Sequence, residues 1–202
     1  MVGDSTNAMV DGRTRSESKS QQGLTNAIAR ARGRVAVTCF ASNVARIQSI
    51  CMAAQANGRS VAVVGRALNR AISAAREVGY LNDLPDFVQE NDIDLLPPDS
   101  LVIVCTGTQG EPRAAMARIA AGTHETVSLQ AGDTVIYSSR QIPGNETAIA
   151  RVQDMLIRRQ INLVTDHEAP VHVSGHPSRD EMVDMYGLVR PKIAIPVHGT
   201  AR

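Results

Sequence analysis

An α/β fold with a mostly parallel sheet flanked by helices is the class this sequence predicts, and three features carry the prediction. Short apolar runs rich in valine and isoleucine recur along the chain, long enough for strands buried on both faces but too short for helices. Each is followed by a polar turn and a stretch with apolar residues at helical spacing, closed by glycine. Strand, turn, helix, glycine, strand is the order of right-handed βαβ units.

Met1-Val2 resembles the end of a strand whose earlier residues are missing, and Gly3-Asp4-Ser5-Thr6-Asn7 reads as the polar turn after it. Residues 9–22 are rich in Arg, Ser and Gln and are expected to be an exposed loop. A helix is expected over 24–32, with Leu24, Ala27, Ile28 and Ala31 on one face and Gly33 as its stop. The regular part follows: a strand over 34–40, the turn Ala41-Ser42-Asn43, and a helix over 44–56 closed by Asn57-Gly58. The next strand, 60–64, exits through Gly65-Arg66 into a helix over 68–78. After an acidic, proline-punctuated connector over 83–100, the strand 101–105 runs into Thr106-Gly107-Thr108-Gln109-Gly110-Glu111-Pro112 and a helix over 113–121. A strand over 134–138, the loop from Ser139 to Glu146 and a helix over 147–159 complete this part.

Four strands thus end in polar loops holding Asn43, Arg66, Gln109 and Asn145, and in a parallel sheet all such loops leave by one edge. A polar groove along that edge is the consequence. The Gly107 loop lacks the Lys of a P-loop and the spacing of a dinucleotide fingerprint, and a tight strand-to-helix turn needs the same glycines.

The tail carries the sharpest chemistry. Val171-His172-Val173-Ser174-Gly175-His176 and Ile195-Pro196-Val197-His198-Gly199 each read as a buried strand ending in glycine and histidine. Between them Ser178 and Glu181 have the spacing of a capping box, with acidic groups in the first turn of a helix. Two imidazoles carried to one edge by parallel strands suit a phosphate or a metal, and adjacent glycines let backbone N–H groups approach an anion. The ordinary alternative for either ring is a hydrogen-bonded histidine at a strand end. His124 reads as a surface turn residue, while His167 and His172 stay open.

Composition narrows the partners. The 202 residues include only Phe40, Phe87, Tyr80, Tyr137 and Tyr186 as aromatics, so base stacking is not the expected binding mode. The net charge of +1 gives no global attraction for nucleic acid. Lys19 and Lys192 are the only lysines, so arginine, whose planar fork suits phosphate, supplies nearly all the positive charge. Cys39, Cys51 and Cys105 lie in apolar runs without paired spacing and are expected as buried free thiols. No apolar run reaches the ~18 residues of a membrane span, and a soluble cytoplasmic protein is expected.

Taken in order, Phe40-Ala41-Ser42-Asn43, Val63-Val64-Gly65-Arg66, the 105–112 loop, Ile142-Pro143-Gly144-Asn145-Glu146, the 171–176 run and Pro196-Val197-His198-Gly199 resemble ribonuclease J. That family belongs to the β-CASP branch of the metallo-β-lactamase fold, and Pro177-Ser178-Arg179 resembles its proteobacterial form. The resemblance implies a β-CASP domain over 17–170 inserted into a partial metallo-β-lactamase domain, 1–16 and 171–202. It implies RNA as partner, two zinc ions as cofactor, phosphodiester hydrolysis and, in the longer protein, a homo-oligomer. By the same resemblance His198 falls on a metal ligand and His176 on the catalytic, phosphate-gripping histidine, with Ser174, Gly175 and Ser178 beside it. Ser42, Asn43, Arg66, Glu111 and Asn145 fall on phosphate- or RNA-binding positions, Glu111 matching the acidic residue of the first β-CASP motif.

The departures are equally specific. The family's His-x-His-x-Asp-His cluster, a further His and a bridging Asp are absent, Asp4 is not carried over as that Asp, and Thr200 stands where many members have Glu. His198 is then the single remaining ligand, and one imidazole does not hold a zinc. The expectation is a fragment of a ribonuclease, inactive alone. Two other classes compete: a stand-alone, non-catalytic RNA-binding module, which predicts good solubility, and a small-molecule enzyme using the Gly107 loop, which predicts tight mononucleotide binding. A truncated enzyme predicts aggregation through unpaired apolar edges instead.

Overall fold

A computed structural model describes residues 1–199 and divides the chain into two compact units, Glu17–His172 and Met1–Ser16 together with the chain from Val173. Thr200 lies outside the described residues.

The larger unit is built on five parallel strands in the order β3-β4-β2-β5-β6: β2 (Val35–Thr38), β3 (Ser60–Val64), β4 (Leu101–Cys105), β5 (Thr134–Tyr137) and β6 (Asn162–Val164). All four pairings in this sheet are parallel, as βαβ order dictates. Because successive side chains point to opposite faces, each strand feeds two cores. Val35, Val37, Val61, Val63, Val102, Val104 and Ile136 enter one, and Ala36, Ala62, Val64, Ile103, Val135 and Tyr137 the other.

The first core is closed by α1 (Glu17–Arg30), α2 (Val44–Ala56) and α3 (Arg66–Glu77), the second by α4 (Ala115–Ala120) and α5 (Glu146–Arg158). With aromatics so scarce, aliphatic chains do this filling. The three thiols are buried and unpaired, and burial pushes Cys39 and Cys51 up to about 12 and Cys105 higher still.

Two expectations are corrected here. Helix α1 opens at Glu17, inside the stretch read as an exposed loop. Its buried positions before Leu24 are Ser20, within that stretch, and Gly23, just after it, small instead of apolar, so the periodicity is invisible to a hydrophobic count. Ser20 donates to the Val171 carbonyl at 2.9 Å, and a Cβ on Gly23 would lie 2.2 Å from the Pro170 carbonyl oxygen. Residues 171–176 form no strand. The Val171 carbonyl accepts from Ser20, from Ser138 Oγ at 2.7 Å and from Arg46 at 3.4 Å, so side-chain donors replace the ladder that a strand would need. His176 therefore does not sit at a strand tip. The short strand β6 carries no pattern that announces it in the sequence.

Arg46, one of the largest fully buried side chains, gathers this region. Its Nε and Nη2 donate to Glu17 at 2.5 and 2.9 Å, and Nη1 donates to Ser138 O, Ser138 Oγ and His172 Nδ1 at 3.0, 2.8 and 3.1 Å. Because the guanidinium only donates, His172 Nδ1 accepts and the ring is neutral. Burial first, and then the Arg46 charge, push its pKa from 6.5 down to about 4.

In the smaller unit β1 (Val2–Asp4) pairs in parallel with β7 (Ile195–Val197), and α6 (Arg179–Val189) lies between them in sequence. The capping box is formed as expected, with the Ser178 amide donating to Glu181 Oε2 at 2.9 Å. None of the residues of α6 is buried, and Val183 and Leu188 stand exposed on it.

This packing can be tested at Gly23 and at His172. Gly23→Ala raises helix propensity by up to about 1 kcal/mol, yet its methyl meets the Pro170 carbonyl, so a net loss of about 1–3 kcal/mol is expected in urea unfolding. For His172, the unfolded chain takes up a proton below pH 6.5 that the folded chain refuses down to about pH 4. Stability is fully present above pH 6.5 and falls through that window by at most about 1.4 kcal/mol per pH unit. His172→Gln should flatten this part of the urea midpoint–pH curve; an unchanged slope refutes the assignment.

Candidate functional site

In the smaller unit, three of the four polar residues after Gly3 hold one of the two tail histidines or the backbone at or next to it, and the fourth, Thr6, holds the carboxylate that does so. Asp4 directs Oδ2 to His176 Nδ1 and Oδ1 to His198 Nδ1, the latter at 3.8 Å. Ser5 grips the Val197 carbonyl twice, through Oγ at 2.7 Å and its amide at 2.8 Å. Thr6 fixes the carboxylate, its amide and hydroxyl donating to Asp4 Oδ1 at 2.8 and 2.7 Å. Asn7, buried, donates to Ser174 Oγ at 3.1 Å and to the His176 carbonyl at 3.2 Å.

These bonds explain the local backbone. His198 adopts the left-handed region at φ 64° as the chain leaves β7, and a Cβ at Gly199 would lie 2.5 Å from Ser5 Oγ. Gly199 is thus required by close packing, whereas a Cβ at Gly175 would meet nothing. The His176 hydrogen bond first, and then the Thr6 donors, hold the Asp4 carboxyl well below the usual carboxylate range. With Nδ1 of His176 tied to Asp4, Nε2 is the nitrogen left for a ligand. His176 borders a hollow of about 440 Å³, together with Arg15, Ser174 and Gly175.

The other expected residues have mixed placements. Ser178 is buried, and its amide and hydroxyl are engaged in the α6 cap and with Thr14 Oγ1 at 3.0 Å. On the larger unit Ser42, Asn43, Arg66, Glu111 and Asn145 all follow strands at the same sheet edge. Asn43 caps α2, its Oδ1 accepting from the Arg46 amide at 3.0 Å. Glu111 accepts from the Gln109 amide at 3.0 Å, and Gln109 Oε1 accepts from Asn145 Nδ2 at 3.3 Å and the Ile142 amide at 2.9 Å. Glu111 and Asn145 therefore meet through Gln109, which locks two loops together. Ser42 lies in the turn before α2, and Arg66 opens α3 beside a separate cavity.

Asp4 is the member of this cluster that the sequence expectations leave out. The available signal is a run of four polar residues, Asp4 to Asn7, longer than a simple turn requires.

Residues 32–156 match the family described as ribonuclease J, β-CASP domain. The chain belongs to the ribonuclease J family. Residues 168–202 further match a Zn-dependent metallo-hydrolase RNA specificity domain. Ribonuclease J of Sinorhizobium meliloti is 47% identical over 201 residues, 100% of this chain and 36% of the relative. That of Mycolicibacterium smegmatis is 46% identical over 98% of the chain and 36% of the relative, and that of Synechocystis 42% over 100% and 32%. The chain thus spans about a third of the length of these relatives. Among the described residues no helix is long and apolar enough to cross a membrane.

The family implies zinc, and the donor set tests the fit. Among the described residues no group of three or more His, Cys, Asp or Glu is placed to hold a metal ion. Asp4 and His198 offer two donors, whereas a catalytic zinc takes about three from the protein. The described residues do not hold the ion by themselves; what they do is fix the orientation of the His176 imidazole through Asp4.

Asn7→Ala removes the donor shared by Ser174 and the His176 carbonyl. A loss of about 1–3 kcal/mol in chemical unfolding is expected, with faster amide exchange at His176; wild-type behaviour in both would contradict the positioning role.

Proposed function

We propose that this chain is part of a zinc-dependent ribonuclease that hydrolyses RNA phosphodiesters, from a 5′-monophosphate end or internally, in RNA processing and decay. On this reading residues 17–170 serve as the β-CASP domain, and 1–16 with 171–202 as parts of a metallo-β-lactamase domain. The observation that carries it is the Asp4 carboxylate shared between His176 and His198. It fixes Nδ1 of His176 as the donor to Asp4, so that in the imidazolium form Nε2 donates to a phosphate oxygen beside Ser174, Gly175 and Arg15. Asp4 joins His198 as a donor toward zinc, the remaining donors coming from sequence that the longer relatives contain.

The 202-residue chain alone binds RNA without cutting it. Two observations support this: the donor count, and a helix α6 that buries none of its residues. The free buried thiols suit a reducing cytoplasm, and a homo-oligomer belongs to the longer protein. Incubating the purified chain with zinc and 5′-labelled single-stranded RNA is expected to give a retarded band and no products. Efficient zinc-dependent cleavage would overturn the donor count. In a longer protein that contains these residues, His176→Ala is expected to lower the cleavage rate by about 10²–10⁴-fold, and a rate within error of wild type would remove the imidazole from the chemistry.

A further inference from the structure

A cavity of about 1150 Å³ in the larger unit shares no residue with the His176 cluster. It opens beyond β3 and β4, and Arg66, Arg70, Arg113 and Arg118 line it. Among the described residues no hydrogen bond or ion pair engages any of the four guanidinium groups, in contrast to the buried Arg34, Arg46 and Arg59 of the same unit. Helix α3 begins in the wall, and its N-cap Gly65 has no side chain to satisfy the first amides. His124 also lines the cavity, and its enclosed Nε2 has no partner among the described residues. Of the two carboxylates present, Glu90 is already bonded to Thr126 Oγ1 at 2.5 Å, which leaves Glu125 alone against four free cations.

Four unpaired guanidinium groups held near one another repel, and they are stable together only where solvent or an anion lies among them. The planar forks suit phosphate oxygens taken two at a time. A space of this volume exceeds the ~300–1,000 Å³ that a single small ligand fills. No Phe, Tyr or Trp lines it, so it offers no platform for bases.

We propose that this arginine-lined cavity binds the phosphodiester backbone of single-stranded RNA, without reading its bases, as an anchoring site separate from the His176 cluster. The proposal rests on the ribonuclease reading above. It adds a second set of phosphate contacts, made by Arg66, Arg70, Arg113 and Arg118 and favoured by the start of α3. Binding there is governed by counterion release, so salt dependence is its signature.

The test compares the wild-type chain with Arg70→Ala/Arg118→Ala, both residues being exposed and outside the cores. Affinity for short unstructured oligouridylate and oligoadenylate is measured over a salt series, with thermal unfolding as a check on the fold. The double variant is expected to bind both RNAs more weakly by the same factor. The slope of log K against log salt should fall by about 0.7 for each phosphate that the variant no longer neutralises. The same decrement is expected in a His176→Ala background. Wild-type RNA binding with an unchanged slope in the double variant overturns this proposal and leaves the ribonuclease reading standing. No RNA binding by the wild-type chain overturns both. A loss confined to mononucleotide or to polyaspartate binding reassigns the cavity and overturns the RNA proposal as well.

Discussion

The larger unit depends on one buried charge. Arg46 lies on α2, its side chain 1% exposed, and a guanidinium in such a place is tolerated only when every direction of its fork finds an acceptor. Glu17 supplies the counter-charge, Ser138 and Val171 supply oxygens, and His172 supplies a ring nitrogen. Glu17 and His172 are the first and last residues of the unit, so the same group ties the entering and leaving chain to the end of β5. Breaking such a pair costs about 3–5 kcal/mol, far more than a surface ion pair, and it explains why 171–172 needs no strand to be held.

The smaller unit solves a different problem with smaller parts. It has little core, and the side chains of α6 are not buried. Precision at His176 and His198 therefore comes from hydrogen bonds instead of packing. Ser5, Thr6 and Asn7 each use a short polar side chain on backbone or carboxylate, where few rotamers are lost on bonding. Asp4 then couples the two rings. Its Oδ2 bonds the His176 ring, and its Oδ1 lies 3.8 Å from His198 Nδ1.

The regular βαβ part is legible because its signals are local. Helix α2 over 44–56 and the strands 60–64 and 101–105 follow from apolar period, the polar turn at Ala41-Ser42-Asn43 and glycine exits. Where burial uses non-apolar atoms, those signals vanish: Ser20 and Gly23 in α1, and the 171–176 run, whose valines suggest a strand although side chains satisfy its backbone. The site is half legible. Histidine after glycine marks His176, histidine before glycine marks His198, and spacing reveals the capping box at Ser178, but the carboxylate that joins the rings lies 172 residues from His176 in sequence. No periodicity carries such information.

Arginine shows the same division within one residue type. Composition suggests that its fork serves phosphate, and the structure turns several of these side chains inward. Arg59 bonds the carbonyls of Ala31 and Gly33 just beyond α1, and Arg159 those of Ile119 and Leu129. Arg34 bonds Asp94 and Ser128. In a chain with five aromatics these long side chains reach inward and place their heads on backbone carbonyls. Net charge is then a poor guide to surface charge, because cations spent on internal carbonyls still count in the sum. Local clustering decides instead: Arg66, Arg70, Arg113 and Arg118 give the sheet edge near α3 and α4 a positive character that the total of +1 conceals.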